Sequence, residues 1–297
     1  MIRKIKTAAI EVTRRGWSTV TAMTAATVLL VAASVASPAH AASTPEYVSG
    51  PIISIAPHGV KYAVATCPSG KVAAGGGYIE PGNSTRNGIV LANSFDPNWP
   101  ARWLVTVKND SGSSLELQAQ AQCEYAASVR LVSGDVAVVA PHTLKDVFAP
   151  CASGEVRRAG GYTQPGNDTQ NGIVLVNGFD PNANRWFVRV NNVSSEPLSI
   201  RAHVVCVRSN PLIYHSSGAV TTVAPYSVKD LFAYCNSLYF RLGGGFVQHD
   251  SPSQKGIVLV SGFDPNWNGR WFVRVKNDSA TPINAQAQVS CFEDRIN

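Results

Sequence analysis

From Leu115 to Cys123 the chain alternates apolar and polar residues without a break, with Leu115, Leu117, Ala119 and Ala121 on one side and Glu116, Gln118, Gln120 and Gln122 on the other. A two-residue period turns one face to a core and the other to water, which is the pattern of a β-strand. A second stripe, Trp103, Val105 and Val107, returns as Trp186, Val188 and Val190 and again as Trp271, Val273 and Val275. These residues are the expected core face. Turn signals such as Pro81-Gly82-Asn83, Asp96-Pro97-Asn98 and Asn109-Asp110-Ser111-Gly112 separate the runs. No helix of useful length is expected beyond the N-terminal leader.

The stripes belong to a longer repeat. Cys67, Cys151 and Cys235 stand 84 residues apart, and their surroundings recur with them. Ala56-Pro57-His58 returns as Ala140-Pro141-His142 and Ala224-Pro225-Tyr226, and the block from Gly88 to Asn98 is matched by Gly172 to Asn182 and by Gly256 to Asn266. Self-similarity at a fixed period marks copies of one structural unit. The copies span 46–129, 130–213 and 214–297, and no Gly/Ser-rich or Pro-rich linker separates them, so they are expected to pack rigidly against one another.

All six cysteines occupy the same two slots of each copy: Cys67 with Cys123, Cys151 with Cys206, and Cys235 with Cys291. Three-fold repetition makes pairing within each copy the simplest scheme. Closing a loop of this length stabilises a unit by roughly 4 kcal/mol on the chain-entropy model. Zinc sites are disfavoured, because the close Cys-x-x-Cys or Cys-His spacing is missing. About six short strands and one bridge per copy predict an all-β chain: three tandem repeats of a small disulfide-closed antiparallel β-sandwich or flattened barrel. A row of copies and a pseudo-three-fold assembly both stay open.

Residues 1–41 read as a signal peptide, with a basic stretch from Arg3 to Arg15, a moderately apolar run from Ala22 to Ala36 and a small-residue exit at Ala39-His40-Ala41. The apolar run falls short of the roughly 20 apolar residues that span a bilayer, so no transmembrane anchoring is expected once the leader is removed. Thr13-Arg14-Arg15-Gly16-Trp17 is similar to a twin-arginine export signal, whereas the disulfides argue for a route that folds the chain outside the cytosol. Both routes predict a secreted, extracellular protein. The leader also accounts for most of the charge. Five of the 25 basic residues and one of the 19 acidic ones lie in it, which leaves 20 against 18. That balance excludes the electrostatic footprint of a nucleic-acid partner.

Three motifs carry candidate chemistry. The first is the glycine cluster Gly75-Gly76-Gly77, echoed at Gly160-Gly161 and Gly243-Gly244-Gly245. It lacks the helix and lysine of a phosphate cradle, and glycines within a strand predict a bulge or a close backbone approach. The second is the loop from Asp264 to Gly269, which opens like a calcium loop. The closing acid is missing, since Val275 stands in its place, and a turn capped by Asp and Asn side chains is expected instead.

The third is the tryptophan of that same loop. Trp99 and Trp267 are expected in solvent, beside Asp96 and Asn98 and beside Asp264 and Asn266; the second copy has Ala183. An exposed indole stacks on the C–H face of a sugar while polar neighbours take its hydroxyls. These six residues are the candidate ligand-binding set.

Catalysis finds little support. After the leader the histidines are His58, His142, His203, His215 and His249, and only His58 and His142 are equivalent. No nucleophile, base and orienting acid recur together. No cofactor or metal is expected. Phe187, Arg189, Phe272 and Arg274 on the outward face of the Trp-Val-Val strand are expected to pack between copies.

The basic leader and the Cys…Gly-Gly-Gly-aromatic…Trp…Cys repeat resemble secreted β-repeat proteins of high-GC Gram-positive bacteria for which no activity is characterised. The resemblance spans the chain, implies export, and transfers no site residues. The expected function is therefore non-catalytic and multivalent binding of glycan or cell envelope. An adaptor or inhibitor that binds a secreted protein is the second reading, and an enzyme with its site between copies the third.

Overall fold

The computed structural model describes residues 45–82, 87–166, 171–208, 213–237, 239–249 and 256–293. The leader and its export signals, and Asn83 at the tip of one expected turn, lie outside them. All the described residues belong to one unit, Ala42–Asn297.

Each copy forms seven strands, one more than the alternation suggested. The first contains β1 (Glu46–Ser49), β2 (Ile53–Ile55), β3 (Val60–Thr66), β4 (Lys71–Ile79), β5 (Gly88–Phe95), β6 (Arg102–Asn109) and β7 (Leu115–Tyr125). The second contains β8 (Arg130–Ser133), β9 (Ala137–Val139), β10 (Leu144–Pro150), β11 (Glu155–Thr163), β12 (Gly172–Phe179), β13 (Arg185–Asn192) and β14 (Leu198–Arg208). The third contains β15 (Ile213–Ser217), β16 (Thr221–Val223), β17 (Val228–Tyr234), β18 (Tyr239–Gln248), β19 (Gly256–Phe263), β20 (Arg270–Asn277) and β21 (Ile283–Glu293). Among the described residues the helical content is a single 3-10 turn, Ala126–Ser128. The alternating stripes become strands such as β6, whose residues are buried and half-buried by turns. The more continuous apolar runs become β5, β12 and β19, which are buried on both faces.

Every copy is a two-layer sandwich whose layers belong to different sheets. Strands β3, β6 and β5 of the first copy continue into β11, β14, β8 and β9 of the second; β10, β13 and β12 continue into β18, β21, β15 and β16; and β17, β20 and β19 continue into β4, β7, β1 and β2. The result is three antiparallel seven-stranded sheets. The seams pair Tyr162 with Asn93, Phe246 with Asn177, and Tyr78 with Ser261. Because the third copy closes back onto the first, the three repeats form a ring about a pseudo-three-fold axis.

The bridges Cys67–Cys123, Cys151–Cys206 and Cys235–Cys291 each join the two layers of one copy, as the slot pattern predicts. Between the layers lie Trp103, Trp186 and Trp271, all fully buried. Burying about 200 Å² of indole contributes up to ~5 kcal/mol each. Their ring N–H groups are satisfied by Asn93 Oδ1 (2.8 Å), Asn177 Oδ1 (2.9 Å) and Ser261 Oγ (3.3 Å).

The glycine cluster has the predicted structural role. A β-bulge falls between Ala73 and Gly75. A Cβ on Gly76 would lie 2.5 Å from the Trp103 ring, and one on Gly77 would lie 2.0 Å from the Ser261 carbonyl of the neighbouring copy. One glycine therefore seats the core indole, and the next lets two copies join backbone to backbone.

Candidate ligand-binding loops

The loops that join β5 to β6, β12 to β13 and β19 to β20 begin with Asp-Pro-Asn, and the aspartate builds the turn. Asp96, Asp180 and Asp264 each accept the N–H of the asparagine two residues on, at 2.9, 2.9 and 2.8 Å. This side-chain mimic of a backbone turn follows from the short carboxylate beside proline. In the last two copies the second carboxylate oxygen accepts Nε of the arginine that opens the next strand, Arg185 at 2.6 Å and Arg270 at 2.5 Å. Burial works against the charged form of Asp180, but the Asn182 N–H and Arg185 outweigh it and hold the carboxyl below its usual range.

The six candidate residues thus divide. Asp264 is turned inward, 3 % exposed, with both oxygens occupied, so it shapes the loop and offers nothing to a ligand. Asp96 is half-buried and is likewise engaged in its turn. Asn98 and Asn266 are exposed, and the two indoles are the most accessible large rings of their loops, Trp99 at 60 % and Trp267 at 61 %. Arg102 lies 5.0 Å from the centre of Trp99, and Arg270 lies 5.2 Å from that of Trp267. Each guanidinium braces its ring by a cation–π contact.

A residue that the alternation did not single out holds the third loop from below. Arg241, buried in β18, donates through Nη1 to the carbonyls of Trp267 (2.6 Å), Asp264 (3.2 Å) and Arg270 (3.2 Å). Arg157 does the same for Ala183 at 2.8 Å in the second copy. The first copy has Ala73 at this slot. The available signal was a guanidinium two residues before the glycine cluster in a strand otherwise destined for the core. Such a charge is tolerated only where carbonyls converge on it.

The Phe/Arg face is placed differently from expectation. Phe148 stacks on Phe187 at 5.2 Å, and Phe232 on Phe272 at 5.4 Å. Arg189 pairs with Asp146 at 2.7 Å, and Arg274 with Asp230 at 2.6 Å. These partners all lie within one copy, and the side chains are exposed or half-buried. The face is therefore an outer surface and not a joint between copies, because the copies join through sheet edges instead. In the third copy it continues the loop: Arg270 contacts both Trp267 and Phe232, and Arg274 lies 5.3 Å from Phe272.

The histidines serve the frame. His58, His142 and Tyr226 occupy one turn position with φ of 53–56°. His203 is fully buried between Ser133 Oγ (2.9 Å) and Thr163 Oγ1 (3.0 Å), and His215 lies 2.9 Å from Ser290 Oγ. Burial, with Arg201 nearby, pulls His203 down to about 4; burial, with Arg157 nearby, pulls His215 down to about 3. Neither is hydrogen-bonded to a carboxylate among the described residues. Glu155 lies beside Cys151 and Cys206, but those sulfurs are joined to each other.

The axis offers little room. Its cavity, lined by Tyr78, Tyr162, Phe246 and the glycines that open β5, β12 and β19, measures about 20 Å³, space for about one water. No protein-family model matches the chain, and no curated protein sequence matches it.

Proposed function

We propose that the protein is a secreted, non-catalytic binding protein that recognises glycan or cell-envelope polymer through its Asp-Pro-Asn loops. The observation that carries this reading is the exposure of Trp99 and Trp267, each ring braced by an arginine and flanked by an exposed asparagine. A ring held in place loses little rotamer entropy on binding, so its apolar face is available to a pyranose at low cost. The cyclic arrangement adds a second argument. Two tryptophan loops on one rigid frame engage one polymer together, and weak single contacts gain from the high effective concentration of the second. The loop with Ala183 acts as a spacer.

The test is retention of the purified, oxidised protein on insoluble chitin, cellulose and peptidoglycan. Trp99→Ala with Trp267→Ala is expected to lower retention at least tenfold at an unchanged melting temperature. Equal retention would remove the loops from consideration.

The outer Phe/Arg face favours a second reading, an adaptor or inhibitor of another secreted protein, since aromatic and arginine side chains dominate protein interfaces. On that reading, Phe272→Ala or Arg274→Ala abolishes capture of a protein from culture supernatant, and the tryptophan variants leave it intact.

A further inference from the structure

The slots beside the disulfide also differ among the copies. In the first copy Glu46 and Lys71 form an ion pair at 2.7 Å, and in the second Arg130 and Glu155 form one with the signs exchanged. In the third copy the same two positions hold Tyr214 and Tyr239, edge to face with ring centres 4.6 Å apart. A third position changes with them, since Pro68 and Ala152 give way to Asn236. The Asn236 N–H donates to Tyr214 Oη at 2.6 Å. Where ion pairs fill the surface of the other copies, these residues and Ile213 line a pocket of about 190 Å³.

We infer that this pocket is a second saccharide subsite, found in the third copy and taking one uncharged pyranose ring; the inference rests on the glycan reading proposed above. Three features argue for that occupant. The volume lies below the roughly 300 Å³ at which drug-sized pockets begin, so it suits a single ring of a longer chain. Among the described residues that line it none is charged, which disfavours an anionic group. The lining pairs aromatic rings with two hydroxyls and an amide, the combination that takes a sugar's C–H face and its hydroxyls together. The pocket also adjoins the Trp267 loop, because the Cys235 N–H, next to Asn236, donates to the Gly269 carbonyl at 2.8 Å. A chain held at Trp267 thus has a second contact on the adjoining turn, which this hydrogen bond ties to the loop.

The repeat supplies a variant that removes the pocket and keeps a cross-strand pair: Tyr214→Glu with Tyr239→Lys installs the pair of the first copy. Binding is followed by 1H–15N NMR titration of the purified, oxidised chain with the trisaccharides of N-acetylglucosamine and of glucose. We expect at least one to shift the Tyr214, Asn236 and Tyr239 amides saturably, and the double variant to weaken that binding at least tenfold while its melting temperature stays within a few degrees. Glu46→Tyr, Lys71→Tyr and Pro68→Asn together should create matching shifts in the first copy. If sugar shifts the Trp267 indole but not the pocket amides, or the double variant binds within twofold of the parent, the pocket is overturned and the loop reading stands. If neither sugar moves any resonance and the polysaccharides retain nothing, the glycan reading falls and the pocket with it. A proline-rich peptide that shifts the pocket amides when neither sugar does overturns the saccharide as occupant.

Discussion

Substitutions among the three copies act as an internal mutant series at the level of single residues. Gln120 of the first copy bridges the backbone of Phe263 and fits because its partner across the seam is Gly262. At the seam where the second copy meets the first, Ser94 of the first copy stands in place of that glycine and His203 of the second in place of the glutamine. His203 and His215 are held neutral, with folded values about 4 and about 3, below the ordinary 6.5. Depressed values mean that the stability they contribute is complete above pH 6.5. It is lost as the pH falls toward 4 and 3, because the unfolded chain takes up the protons first. The slope is about 1.4 kcal/mol per pH unit for each fully buried histidine, less for the half-buried His215. The melting temperature is therefore expected to drop between pH 7 and 5. Ser94→Gly with His203→Gln, which copies the third repeat, together with His215→Tyr, which copies Tyr47, should flatten that drop. An unchanged slope would show that other groups govern it.

Among the elements, β4, β11 and β18 carry the heaviest constraints. Each bends at a bulge, seats an indole on one glycine and meets a neighbouring copy at another. Gly76→Ala would place a methyl 2.5 Å from Trp103 and 2.4 Å from the Gln120 carbonyl, and neither can yield within the sheet. The expected cost is about 3 kcal/mol, measurable by denaturant unfolding; a loss below about 1 kcal/mol would mean that the indole has another seat. Arg241 on β18 has a narrower role. Arg241→Ala reproduces the first copy's Ala73 and is expected to cost the Trp267 loop its order more than the fold its stability. Faster amide exchange in residues 266–269 at a nearly unchanged melting temperature would check this.

On the scale of the whole molecule, the closed ring decides how the repeats relate. A single copy has a core between its layers and a disulfide across them, yet β4 and β5 each expose an edge that a neighbour normally pairs. The copies are therefore repeats in sequence without being separable in folding. Residues 46–129 alone, oxidised, are expected to show no cooperative unfolding as a monomer, and any folded species should be an assembly that pairs the same seams. Circular dichroism melts combined with sedimentation decide the point, and a cooperatively folded monomer would contradict it. The ring also sets the loops at fixed positions around one axis, which is what multivalent binding requires.

Much of this was legible in the chain alone. The two-residue period predicts the strands, the 84-residue spacing predicts three equivalent units, and the cysteine slots predict the bridges, because each depends on properties that neighbouring or repeated residues share. The separate sheets of each copy were not legible, since every strand presents the same N–H and C=O groups on both edges and nothing local says which strand will pair with them. The candidate site divided for the same reason. Asp264 and Trp267 stand three residues apart in one polar turn, yet one is buried and the other exposed. That choice belongs to Arg270 and Arg241, which reach the loop from separate strands and exert their charge only once the chain has folded.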